Sequence, residues 1–121
     1  MKAIFILFVS IAISGCTSVR PGPDAFESAE RAIGLAVEAG GDEFAPVEMR
    51  FAREKLESAR IGMEKQKYEV AMYLVEESEI NAELAIEKSR TGESRRRANE
   101  LRKSNDELEV SLRETFGDEF E

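Results

Sequence analysis

Tyr68, Ala71, Val75, Ser78, Ala82, Ala85 and Ser89 recur at offsets of 3, 4, 3, 4, 3 and 4. Such spacing lines one face of an α-helix. Here that face is built largely from small side chains. How closely two helices approach depends on the side chains at their contact, so this seam calls for a neighbour that is also small along its stripe. The chain supplies one. Ala25, Ala29, Ala32, Ala36 and Ala39 lie at offsets of 4, 3, 4 and 3, with Phe26, Ile33 and Val37 widening the stripe. Two small-residue stripes of this kind constrain the chain to close-packed helices.

The punctuation around these stripes divides the chain. Thr17 to Pro23 holds two prolines and a glycine, which deny it a helix and make it a tether. Asp24, with Glu27 three residues on, has the capping-box arrangement that opens a helix. Gly40-Gly41 closes it, and Asp42 to Ala45 forms a turn. Pro46 suits the first turn of a second helix, where its missing N–H costs nothing. That helix carries Ala52, Leu56, Ala59 and Met63, with Val47 and Phe51 extending the apolar face. It stops near Lys65 to Lys67, where neither Gly nor Pro marks the end. The third helix opens at Tyr68, its seam flanked by Met72, Leu74 and Leu84. Thr91-Gly92 marks a break or kink. Beyond it Ala98, Leu101, Asn105, Leu108, Leu112 and Thr115 form a new seam, one residue out of phase with the earlier one. That slip predicts a different partner for the last segment. The expected fold is all-α: an antiparallel helical hairpin or three-helix bundle, with a long C-terminal helix that projects as an arm or bends at Gly92.

The residues before the tether carry the clearest chemistry. After Lys2, Ala3 to Ile13 is apolar except for Ser10. The run is too short to cross a bilayer, which needs about 20 apolar residues. It fits the hydrophobic region of a secretory signal. Ile13-Ser14-Gly15-Cys16 follows, and Cys16 is the single cysteine. This order resembles the lipobox of bacterial lipoproteins. The resemblance implies that residues 1–15 are removed, that Cys16 is acylated, and that the membrane is a partner through the lipid on Cys16. Two or more acyl chains anchor a protein stably where one does not. Thr17 is not the aspartate that resembles an inner-membrane retention signal, so the analogy points to the outer membrane, facing the periplasm. A catalytic role for the thiol would need an activating base, and the chain has no histidine. An intrachain disulfide would need a second cysteine.

Composition narrows the partners. A formal net charge of −8 argues against nucleic acid, whose phosphates are met by Lys and Arg. Glu76, Glu79, Glu83 and Glu87 share one side of the third helix and could be metal ligands. Di-iron bundles, however, add histidines to their carboxylates, so the expectation is a solvated acidic face, no metal and no cofactor. In an antiparallel pairing of the second and third helices, Arg53 would approach Glu79. Arg95-Arg96-Arg97 could meet a phosphate or an acidic partner, although a solvated face with pairs such as Glu93–Arg97 and Glu109–Arg113 explains it more simply. Asn105 interrupts an apolar seam, as a polar residue does where it fixes the register of a coiled coil. No serine has a base partner, and no loop is long enough to build a cleft, so an enzyme is not expected.

Glu43-Phe44-Ala45-Pro46, then Ala52-Arg53-Glu54-Lys55-Leu56 with Ala59, then Tyr68 opening an Ala-rich helix, resemble the DUF4398 domain of bacterial envelope lipoproteins over roughly Ala25 to Arg90. Where the family often has Gly-Asp before the tyrosine, this chain has Gln66-Lys67. The resemblance implies a location and a fold more than an activity. The expected organisation is a signal peptide over 1–15, lipidated cysteine and tether over 16–23, helical domain over 24–90 and C-terminal arm over 91–121. The expected function is a helical adaptor or structural element of the cell envelope. It would contact an envelope protein, or itself, through Leu101, Asn105, Leu108 and Leu112. The alternative is a small carrier or sensor that binds a hydrophobic or cell-wall ligand between its helices.

Overall fold

The computed structural model describes residues 20–117. The signal segment, Cys16 and the last four residues lie outside them. Four helices follow in order: α1 (Glu27–Glu38), α2 (Gly41–Phe44), α3 (Pro46–Glu64) and α4 (Tyr68–Phe116). Three form an up-down-up bundle, and α2 is a single turn at one corner.

The direction of each helix follows from who meets whom. Near the start of α1, Ala29 packs with Leu56, Ala59 and Val75. Further along, Ala32 and Ala36 pack with Ala45, Met49, Ala52, Ala82 and Ala85. Advancing along α1 therefore means advancing along α4 and retreating along α3. The seam of α4 is buried as its spacing predicts, at Ala71, Val75, Ser78, Ala82, Ala85 and Ser89. Ser78 costs the core no unsatisfied group, because its hydroxyl donates to the Ala52 carbonyl across the helix pair at 2.7 Å.

The buried strip is narrower than the sequence predicts. Val37, Val47, Phe51, Met72 and Leu84 all remain exposed. Once alanine seams draw the helices together, the contact covers a thin stripe and leaves the flanks outside. Met49, absent from the expected face, is instead the largest fully buried side chain. It fills the corner that α2 closes.

The helix ends differ in how well their punctuation forecasts them. Asp24 does not cap α1. Its carbonyl accepts from the Glu27 N–H at 3.0 Å, while Ala25 N–H donates to Gly22 at 3.2 Å. These tight turns use up residues 22–26, and Phe26 takes the cap position without a side-chain cap. Burial of the Phe26 ring against Ala29, Leu56 and Val75 fixes the approach instead. The two glycines after α1 have separate roles. Gly40 adopts φ 79°, the left-handed conformation expected. Gly41 is the buried first residue of α2, where a Cβ would lie 2.7 Å from the Ala36 carbonyl and 2.8 Å from Met49 Sδ. Pro46 opens α3 as predicted. At the other end Lys67 N–H donates to Gly62 O at 2.9 Å and Gln66 N–H to Met63 O at 3.1 Å. This is a Schellman closure, with Gln66 in the left-handed slot at φ 57°.

The helix pairs are laced by ions. Lys55 bonds Glu77 and Lys88 bonds Glu48, both between α3 and α4. Arg60 reaches Glu30 on α1 at 2.7 Å. Arg53 does not meet Glu79. Its guanidinium forks onto Asp42 at 2.8 and 3.1 Å, a bidentate geometry that outcompetes a single contact. The Lys88 ammonium holds the Glu48 carboxyl below its ordinary pKa. Lys55, and after it the Tyr73 hydroxyl, does the same for Glu77.

Candidate interaction surface

α4 is one helix of 49 residues, with no break at Gly92. At ~1.5 Å per residue it runs about 74 Å, far longer than the helices that cover it. Its last buried residue is Ser89. From Glu93 to Gly117 every described residue is exposed.

A small device at the bundle's edge sets the direction in which α4 leaves. Phe44, on α2, lies against Gly92, where an added Cβ would meet the Phe44 Cδ1, Cγ and Cβ at 2.6, 3.0 and 3.1 Å. Gly92 is thus a flat spot that admits a ring. One turn on, Arg96 donates to Glu43 at 2.7 Å, and its guanidinium stacks 4.9 Å from the centre of the Phe44 ring. Glu43-Phe44-Ala45-Pro46 therefore grips α4 with its first two residues, buries the third and starts α3 with the fourth. Sequence reasoning missed this clasp. An isolated glycine in a helical pattern is also a sign of close packing, but a separation of 53 positions between Glu43 and Arg96 hides the pair.

Beyond the clasp, local pairs hold the helix. Arg97 meets Glu93 at 3.2 Å and Arg113 meets Glu109 at 2.7 Å, both as predicted, and Lys103 meets Glu107 at 3.7 Å. Each such exposed pair contributes only about 0.3–0.5 kcal/mol. Along the arm, Leu101 is 60% exposed, Leu108 56% and Leu112 46%, and Asn105 is exposed between them. The four predicted contact residues thus lie on one helix at seam spacing, and none is used within the chain's own core.

The tether joins at the opposite end. Arg20, Pro21, Gly22 and Pro23 line a cleft of about 410 Å³ with Phe26 and Met63, beside the turn from α3 into α4. The chain therefore enters the bundle near the beginning of α4, and the arm leaves from the far end. Among the described residues no helix is long and apolar enough to cross a membrane. No group of three or more Asp, Glu, Cys or His among them is gathered as a metal site. Glu87, one of the four carboxylates weighed as ligands, is paired with Arg90 at 2.7 Å.

Bundle, clasp and arm define a helical scaffold whose distinctive surface is an unburied helix face. The chain belongs to the DUF4398 family, described as a domain of unknown function, whose profile matches residues 24–101. The match takes in the whole bundle and both halves of the clasp, and ends at Leu101. No curated protein and no solved structure matches the chain.

Proposed function

We propose that this protein is a lipid-anchored, periplasm-facing lipoprotein that acts as a helical adaptor or structural element of the bacterial cell envelope. The observation that carries this reading is the placement of its two ends. The tether enters at one end of the bundle, and a fully exposed helix with an apolar seam leaves from the other. Such a shape separates attachment from contact. A Cys16 lipid, supported by the Ile13-Ser14-Gly15-Cys16 motif, would fix location, and Thr17 favours the outer membrane. The arm would carry the protein contact.

The carrier alternative has less support. A ligand between the helices would have to displace alanine seams already in contact, along with the Ser78–Ala52 hydrogen bond.

Two experiments test the proposal. A Cys16→Ser variant should lose acylation and leave the membrane fraction, and an acylated variant would refute the anchor. Crosslinking in intact envelopes followed by mass spectrometry should capture a discrete protein, and capture should weaken when residues 94–121 are removed. Undiminished capture by the shortened chain would refute the arm as the contact.

A further inference from the structure

The arm's charges are segregated along its length. Over 93–103, five cations (Arg95, Arg96, Arg97, Arg102 and Lys103) outweigh two anions, Glu93 and Glu100. Over 104–117, four anions (Asp106, Glu107, Glu109 and Glu114) outweigh one cation, Arg113. The apolar seam crosses both halves. A surface with one sign at its base and the other at its tip is complementary to itself when reversed.

Resting on the reading of this segment as a contact arm, we propose that the seam is covered by the arm of a second copy of this chain, running antiparallel. With a two-fold axis between Asn105 and Leu108, Leu101 packs on Leu112 of the second copy, Asn105 on its Leu108, and Ala98 on its Thr115. The basic half of each arm lies along the acidic half of the other. Positions beside a coiled-coil seam set partner and orientation through their charges. Here Arg102 comes opposite Glu109 of the second copy, and the contact occurs twice by symmetry. Within its own chain Arg102 has no ion-pair partner among the described residues. The two Asn105 side chains fall in adjacent layers, about 4.5 Å apart along the axis, where each amide can bond the other.

The parallel arrangement reverses these relations. It sets base against base and tip against tip, with Arg97 facing Arg102 of the second copy. The charges therefore choose the antiparallel pair. Its interface is isologous and closes at two copies. Because each tether joins at the far end of its bundle, the two anchor points stand about 115 Å apart at ~1.5 Å per residue. With the anchor proposed above, the dimer lies along the membrane rather than standing on it.

The test places two differently tagged full-length copies, one Leu101→Cys and one Leu112→Cys, in the envelope under mild oxidation. A mixed disulfide is expected. Each variant alone should give none, because like positions in the antiparallel pair are more than about 15 Å apart and beyond disulfide reach. Disulfide dimers from either variant alone indicate parallel arms and overturn the proposal. No disulfide at all, with the arm crosslinking to another envelope protein, overturns it and leaves the adaptor reading standing. No disulfide and no capture overturns both. The parent chain is the control. A dimer through its own Cys16 reveals a free thiol and counts against the anchor alone.

Charge provides an independent arm of the test that leaves the seam intact. Arg102→Glu should reduce the mixed disulfide about tenfold at low salt, and adding Glu109→Arg should restore it. A parallel pair predicts an increase in the disulfide formed by either variant alone, since Arg102→Glu would then relieve the contact with Arg97. An increase on Arg102→Glu refutes antiparallel pairing.

Discussion

Two glycines in helices make opposite predictions. Gly→Ala in a helix interior ordinarily stabilises by about 1 kcal/mol. At Gly34 a Cβ meets nothing within 4 Å, so Gly34→Ala should raise stability by about that amount. At Gly92 the same Cβ meets the root of the Phe44 side chain, Cβ and Cγ as well as Cδ1. Those atoms cannot swing aside without moving α2. Overpacking costs about 1–3 kcal/mol, enough to cancel or exceed the propensity gain. Gly92→Ala should therefore destabilise, by about 1 kcal/mol net, in urea unfolding followed by circular dichroism. A stabilised Gly92→Ala protein would show that Phe44 does not hold α4 there. Gly92 was visible in the sequence as an interruption, but its meaning was not. A glycine can break a helix or admit a neighbour, and only the position of Phe44 decides between them.

Among the elements, the stripes facing the core were the most legible part. Ala29, Ala32 and Ala36, then Ala52, Leu56 and Ala59, then Ala71 to Ser89 are buried as their spacing predicts. Periodicity gives the direction of a face. Its width depends on how near the partner comes, and so Phe51 and Val47 stay outside the contact. The α3–α4 turn is legible at Lys65 to Lys67, but its mechanism is not. Gln66 sits in the left-handed region, which costs a side-chain-bearing residue about 1–2 kcal/mol. Gln66→Gly should thus stabilise the hairpin by up to about 1 kcal/mol, read as a higher melting temperature. An unchanged or lower value would mean that the Gln66 side chain contributes more than its backbone costs.

The α3–α4 ion pairs give the bundle a pH signature. Glu48 and Glu77 are held below the ordinary carboxyl pKa by Lys88 and Lys55. A depressed carboxyl pKa adds stability above the unfolded value, about 4.3, and that stability is lost as pH falls through the folded one. With no histidine in the chain, the melting temperature should be nearly flat from about pH 6 to 8. It should fall from about pH 5 downward. A Glu48→Gln/Glu77→Gln protein should melt lower at pH 7 and show a shallower acid limb. An acid limb as steep as the parent's would assign the loss to other carboxylates.

At the scale of the whole molecule, bundle and arm are one helix used in two ways. The first half of α4 is the wall on which α1 and α3 close. In the second half no described residue is buried, and Arg96 at its base holds the clasp. Removing residues 104–121 keeps Arg96 and its bond to Glu43, so bundle stability should change by less than about 0.5 kcal/mol. A larger loss would mean that the arm supports the fold. The seam itself was legible, since Leu101, Asn105, Leu108 and Leu112 follow a pattern one residue out of phase with the core. Its direction relative to the tether was not, because that depends on the tether lying in a cleft with Phe26 and Met63 at one end and on Phe44 meeting Gly92 at the other.

The central claim is that contact is made by the arm and not by the bundle. Site-specific photocrosslinking in living cells addresses it most directly, with the probe at Leu108 on the arm and, separately, at the exposed Tyr73 on the bundle. The account predicts discrete crosslinked species from Leu108 and none from Tyr73. Crosslinks from Tyr73 with none from Leu108 would contradict it.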